Sequence, residues 1–272
     1  MDNIIININS RFVDLNKYSA SNFVYHLEEE LKNVIYIKIG SIEVPTSFYN
    51  FLESKKNISF KISDGVNEDT ITLIEGNYTS DSLLLYVQDI LDVINTNRNQ
   101  DYKIELNINN GKIKFTNINN FSIDFNNNSE LDSLGIHLGF TKENYSGKSI
   151  EADNVIRLNT PLYFFLKIND FDNIQDHYVK NAFAKIIQTT GSYDLTVEGK
   201  SEYVSKDLVF RSPINLNRLE IKLVDWYDRI LDLNGYNLSL TLEIGYVYDK
   251  QLYQQLNNNG IPNGDHRLKF FY

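Results

Sequence analysis

The sequence predicts a mainly β protein: an antiparallel β-sandwich of jelly-roll type with an inserted α+β module that carries one clear helix. Three observations predict it. Apolar and polar residues alternate over many short segments, which is the period of half-buried strands. The 18 Tyr and 16 Phe among the 272 residues favour pleated sheets. A helical period of apolar residues is clear only over residues 82–96.

The N-terminal region supplies the first strands. Residues 4–8 form an apolar run, and apolar residues alternate over 23–27. The acidic run 28–30 predicts a solvent-exposed turn, and the apolar, β-branched run 34–44 predicts a central strand buried on both faces. Pro45 should end that strand, because proline cannot donate a hydrogen bond to a sheet.

Residues 51–154 change character and predict a ββαβββ module. Alternating runs at 58–62 and 70–74 predict one hairpin. A second hairpin joins 102–106 to 112–115 across the Asn-Gly turn at Asn110. Further apolar runs are expected to complete the module at residues 121–125 and 134–140.

The helix of this module is predicted from its apolar residues. They recur at three- and four-residue intervals on one face: Leu84, Val87, Leu91 and Ile94. Ser80 is the predicted N-cap, because its hydroxyl can accept a hydrogen bond from an N–H of the first turn.

The C-terminal region is again rich in strands. The runs 162–168, 218–224 and 237–248 predict strands, with a turn at Asn234-Gly235 before the last of them. Residues 178–190 fit either a helix or a strand. The apolar end, Leu268–Tyr272, is expected to dock as a strand on this chain or on a neighbour.

The simplest domain organisation pairs residues 1–50 with 155–272 as one β-sandwich body, and makes 51–154 an insertion. Two sequential domains with a boundary near residue 152 are the alternative. Both organisations suit the length of the chain, which is sufficient to bury a substantial core.

Composition excludes several classes of function. A net charge of −10 argues against binding nucleic acid through a broad electrostatic surface. With no Cys, the chain has no disulfide, thiolate zinc site or cysteine nucleophile. No run approaches the roughly 20 apolar residues of a spanning helix, and the start lacks the pattern of a signal peptide.

No residue pattern predicts a catalytic, cofactor-binding or metal site. None of the four histidines belongs to a metal-binding motif; they are His26, His137, His177 and His266. Two acidic pairs merit comparison with metal sites, namely Asp170 with Asp172 and Asp225 with Asp228. We expect the first pair to stabilise a turn and the second to lie at a hairpin tip. The sequence therefore predicts a protein that is not an enzyme.

Several segments, in order, resemble the minor capsid and related virion structural proteins of nucleocytoplasmic large DNA viruses. The matching segments are Ser10–Phe23, Ser41–Asn50, Glu75–Thr79 with the helix after it, Leu138–Gly147, Phe165–Phe171, Leu219–Val224 and Leu231–Ile244. Together they cover most of the chain. Val44 and Ser47 depart conservatively from the family pattern in the second segment.

The resemblance implies a virion structural protein assembled in the host cytoplasm. It implies a minor capsid component between or beneath major capsid proteins of an icosahedral shell, with the vertex as one position. Its partners would be the major capsid protein, other minor capsid proteins and further copies of itself. The sequence leaves two other classes open: a glycan- or host-binding sandwich of a virion fibre, and a hydrolase with a spatial pair of carboxylates.

Overall fold

A computed structural model describes residues 2–14, 16–125, 132–158, 162–198, 208–249 and 251. It confirms the mainly β prediction, because strands predominate and every pairing between described strands is antiparallel. The jelly-roll type of the sandwich stays a prediction.

The chain divides into two compact units. One, here called the body, comprises Met1–Ser47 and Pro161–Tyr272; the other, the inserted unit, comprises Phe48–Thr160. In sequence, the inserted unit therefore interrupts the body. That the two are separate domains stays a prediction.

The body contains a seven-stranded sheet. Its strands are β1 (Asp2–Asn9), β2 (Asn22–Pro45), β8 (Tyr163–Ile168), β9 (Ala184–Ile187), β10 (Leu195–Glu198), β11 (Leu208–Val224) and β12 (Ser239–Tyr246). The order is β1-β12-β2-β11-β8-β9, and β10 pairs with the end of β2. β1 is therefore the first strand of this order and, among the described strands, has one neighbour, β12.

The predicted acidic turn at 28–30 is wrong, because β2 is one strand of 24 residues that runs through it. Its N-terminal half pairs with β11, with register shifts, and its C-terminal half lies between β12 and β10 or β11. The glutamates are exposed, so a strand can carry them without burying charge. Residues 34–44 are central, as predicted, but residues such as Tyr36 and Lys38 are half-buried, so only one face is fully covered. The strand ends at Pro45, as predicted.

Later parts of the body agree with the sequence. β8 and β12 lie where strands were predicted, and β11 extends the predicted strand 218–224 toward the N-terminus. The ambiguous stretch 178–190 contains the strand β9. Asn234 and Gly235 both have positive φ, as the predicted turn requires. The C-terminal prediction at Leu268–Tyr272 lies outside the described residues.

The inserted unit contains a five-stranded sheet and two helices. The strands are β3 (Ser59–Ser63), β4 (Glu68–Thr72), β5 (Lys103–Asn107), β6 (Lys112–Asp124) and β7 (Asn144–Glu151); the helices are α1 (Ser80–Arg98) and α2 (Leu134–Leu138). The order is β4-β3-β6-β5, with β7 on β6. Both predicted hairpins, β3–β4 and β5–β6, are confirmed.

Helix α1 confirms the predicted helix and corrects its cap. Leu83, rather than Leu84, completes the fully buried stripe with Val87, Leu91 and Ile94. Thr79 is the N-cap: its hydroxyl accepts from the backbone N–H of Ser82 at 3.2 Å, and the Ser82 hydroxyl accepts from the N–H of Thr79 at 3.0 Å. This reciprocal pair satisfies two N–H groups at the helix start.

The end of the module departs from the ββαβββ prediction. Residues 121–125 continue β6 rather than forming a separate strand, and the apolar run at 134–140 begins with the short helix α2. Gly139 ends α2 with φ 92°, and a Cβ there would overlap the backbone of Asn154. β7, which the sequence did not predict, follows it.

Candidate functional site

The four histidines differ in position. His26 is exposed on β2, and His177 is exposed in the loop before β9, where its ring centroid lies 4.8 Å from that of Tyr178. His266 lies outside the described residues. Neither described exposed histidine is in a group of His, Asp and Glu residues that could hold a metal ion.

His137 is buried in the inserted unit and is bonded on both sides of its ring. Nε2 lies 2.9 Å from Oδ1 of Asp132, and Nδ1 lies 3.1 Å from the carbonyl oxygen of Arg157. The carbonyl oxygen of Arg157 can only accept, so Nδ1 donates in that bond. The Phe51 ring contacts the imidazole edge-on at 5.1 Å. These contacts connect α2 to the chain on either side of it, which is a structural role.

The acidic pair Asp170 and Asp172 is exposed in the loop after β8. The described residues contain no group of three or more His, Cys, Asp or Glu side chains placed to hold a metal ion. The turn-stabilising role expected for these two residues stays a prediction.

Asp225 and Asp228 lie at a tight hairpin tip after β11, as predicted: Val224 forms a bridge with Ile230. Oδ1 of the buried Asp225 accepts from the backbone N–H groups of Tyr227 at 2.9 Å and Arg229 at 3.0 Å, and Oδ2 accepts from Arg229 Nε at 2.7 Å. Asp228 pairs with Lys167 at 2.9 Å. Both carboxylates therefore hold the tip together.

The tip carries an aromatic surface, defined here as Tyr163, Trp226, Tyr227, Tyr178 and His177. Successive ring centroids along this series lie 5.6, 6.0, 5.7 and 4.8 Å apart, and all four contacts are edge-on. The rings are half-buried or exposed. Side chains from β8, the loop before β9 and the tip after β11 thus form one continuous patch.

Two cations lie over rings of this aromatic surface. Lys185 Nζ is 3.7 Å from the centroid of Tyr163, and the Arg229 guanidinium is 4.8 Å from that of Tyr227. Both contacts are within the range of cation–π attraction. Aromatic faces beside hydrogen-bond donors can bind the apolar face of a sugar or another protein. The sequence did not predict the patch; the neighbouring Trp226 and Tyr227 at a hairpin tip were its only local signal.

Residues of the motifs that carried the family resemblance make hydrogen bonds in loops and lie at helix ends. The Ser47 hydroxyl donates to the carbonyl of Leu233 at 2.6 Å within the body. In the inserted unit, Asn77 accepts from the N–H of Asn50 at 2.8 Å and donates to the carbonyl of Phe48 at 3.0 Å. Thr79 and Gly139, described above, begin one helix and end the other.

Asp153 also makes hydrogen bonds that hold a turn in place. Its Oδ2 accepts from the Tyr145 hydroxyl, and from the backbone N–H of Thr141 at 3.0 Å and the Thr141 hydroxyl at 2.7 Å. These bonds, chiefly that from Tyr145, lower the pKa of Asp153 to about 2. The bonds fasten the turn before β7 to the chain that follows it.

Comparisons with known proteins give matches among solved structures alone. No protein-family model matches the chain, and no curated protein matches it. Nine chains among solved structures match. One is the crystal structure of the selenomethionine-labelled mavirus penton protein, at 10% identity and a TM-score of 0.48, covering 91% of this chain and 100% of that one. A TM-score below 0.5 does not establish a shared fold.

The helices were also compared with the requirements of a membrane span. Within the described ranges, no helix has the length and apolar character needed to cross a bilayer.

Proposed function

We propose that this chain is a non-enzymatic structural protein of a virion. In its finer form, the proposal is a minor capsid component that binds between or beneath major capsid proteins of an icosahedral shell. The vertex is one position it would suit. Its partners are the major capsid protein, other minor capsid proteins and further copies of itself.

The observation that carries the proposal is the placement of the motif residues. Ser47 and Asn77 bond to backbone groups of loops, Thr79 caps the start of α1, and Gly139 ends α2. The resemblance is therefore one of architecture, which is what a shared structural role requires. A function inferred from architecture alone needs a direct test.

The chemistry of the buried polar groups supports the non-enzymatic part. Asp225 and His137 are the buried members of the candidate acids and bases, and hydrogen bonds within the fold engage both. A general acid or base must instead reach a substrate atom.

Mass spectrometry of particles purified from the organism that encodes the chain tests this proposal. We expect the chain to sediment with intact particles and to stay with them after a salt wash that removes surface-adsorbed protein. Its absence from washed particles in which the major capsid protein is abundant would contradict the proposal.

A second candidate function, glycan binding in a virion fibre, is favoured by the aromatic surface. Sugar rings pack on exposed aromatic faces, and Lys185 and Arg229 add donors beside them. The rings of Trp226 and Tyr178 are the members of the patch best suited to substitution, because they lie on different segments.

A glycan array probed with the purified chain tests this candidate. If it is right, the chain binds at least one glycan, Trp226→Ala and Tyr178→Ala each weaken that binding, and Tyr236→Ala does not. Tyr236 is the matched control because it is exposed on the body and lies outside the aromatic surface. A blank array would remove this candidate and leave the first one standing.

A further inference from the structure

The outer edge of β1 presents a regular row of backbone groups. Ser10 N–H donates to the carbonyl of Leu238 at 3.0 Å, and the pairing of β1 with β12 continues in that register without a shift. In an antiparallel ladder, every second residue bonds to the neighbour. Residues 4, 6 and 8 therefore bond to β12, and Asn3, Ile5 and Asn7 direct their N–H and C=O groups outward. Asn3 N–H accordingly donates to the side chain of Asp2, at 2.9 Å.

This edge lacks the features that usually prevent strands from pairing. β1 has eight residues, no bulge, no proline and no charge between Asn3 and Asn9. The one charged residue of β1 is Asp2, at its first position, whereas other described edge strands carry a charge inside the strand, such as Asp69 in β4 and Lys185 in β9. Lysine, proline, bulges and short length are the common protections of exposed edges. β1 is thus the most open edge for strand addition.

The outward residues of β1 allow two copies of the strand to pair with each other. When two β1 strands run antiparallel with Ile5 opposite Ile5, Asn3 of each faces Asn7 of the other. All three outward residues then stand in positions where antiparallel strands exchange hydrogen bonds. The Asn3 side chain donates to Glu243 at 3.2 Å, and the Asn7 side chain accepts from Thr241 at 3.5 Å. The pair of copies therefore rests on backbone bonds and on Ile5, 68% exposed, which meets its own copy.

The core-facing side of β1 fits the same register. Ile6 and Ile8 are buried there, but Ile4 is 40% exposed, and no strand of the described residues lies beyond it. Pairing about Ile5 places Ile4 opposite Ile6 of the second copy, which would cover the exposed part of Ile4.

We propose that β1 is a self-association edge: two copies of this chain pair their β1 strands antiparallel about a two-fold axis at Ile5 and so join their body sheets. The proposal assigns a site to the self-association named in the proposed function; it is argued from the strand edge, and the purified chain tests it without any particle. One strand pair is a small interface, so the association is weak and concentration-dependent.

Cysteine substitution tests the register, since the chain has no native Cys. Opposed residues at hydrogen-bonding positions have Cα atoms about 5.5 Å apart, which a disulfide can span. With diamide as oxidant, Ile5→Cys should form covalent dimers. Asn3→Cys should not, because the two Cys residues would be separated by about 13 Å along the strands.

Sedimentation equilibrium tests the association itself. The wild-type mass should rise above 31.6 kDa with concentration. Ile5→Lys, which opposes two like charges, should weaken the association at least tenfold. Ile118→Lys should leave it unchanged, because Ile118 is equally exposed, at 68%, but lies on β6. A wild-type mass that stays monomeric to the solubility limit, or cross-linking of Asn3→Cys as strong as that of Ile5→Cys, overturns the proposal.

Discussion

Replacement of His137 by alanine tests whether this histidine is structural. The substitution removes the bond to Asp132, the bond to the carbonyl of Arg157 and the ring contact with Phe51. A bond to a charged group contributes about 1.5–3 kcal/mol, an ordinary one about 1 kcal/mol and an aromatic contact about 0.5–1.5 kcal/mol. We therefore expect the free energy of unfolding of the inserted unit to fall by about 3–5 kcal/mol, the range found when buried pairs are broken.

Urea unfolding can follow the two units separately. Circular dichroism at 222 nm reports α1, which lies in the inserted unit, and fluorescence reports Trp226, the single tryptophan, which lies in the body. For a unit of this size, His137→Ala should lower the 222 nm midpoint by about 2 M. If the units are separate domains, the fluorescence midpoint should not move.

His26→Ala is the matched control, because His26 is exposed on β2. It should change neither midpoint by more than the equivalent of about 0.5 kcal/mol. The structural role of His137 would be refuted if His137→Ala behaved like this control.

Three further predictions concern the effect of single substitutions on stability. Thr79→Ala should destabilise α1 by about 1 kcal/mol, whereas Thr79→Ser should largely preserve the stability of the helix. The melting curve at 222 nm measures both variants. Because the pKa of Asp153 falls from 3.8 to about 2 on folding, its bonds stabilise the fold above pH 3.8 and are lost as the pH falls through 2. The stability difference between wild type and Asp153→Asn should therefore shrink over that window in acid-titrated urea melts, and a constant difference would contradict this. Gly245→Ala should lower the free energy of unfolding by about 1–3 kcal/mol, because its Cβ would overlap the ring of Tyr36. Tryptophan fluorescence measures this change, and unchanged stability would show that the ring can move aside.

Local periodicity was sufficient to predict the long helix and most of the strands, but not β7 or β10. The stripe that includes Val87 and Leu91 identified α1, and the Asn-Gly turn before Lys112 identified the β5–β6 hairpin. Two errors came from reading local charge or apolarity alone. The acidic run 28–30 lies inside a strand because that part of β2 is exposed, and residues 134–138 form a helix too short to show a period.

The candidate site was much less predictable, because it depends on contacts between residues distant in sequence. Tyr163 and Trp226 meet only through the pairing of β8 with β11. Within the described part of the chain, β12 is the one strand that flanks β1, and an apolar run does not reveal which strands will flank it. His137 gave no sign of burial in sequence, since its partners come from loops on either side of α2.

Electron cryomicroscopy of purified particles tests the proposed structural role most directly. An icosahedral reconstruction should contain density into which the body and the inserted unit fit, in contact with the major capsid protein and at a fixed number of copies per particle. A well-resolved shell in which every density is accounted for by other proteins would contradict that role.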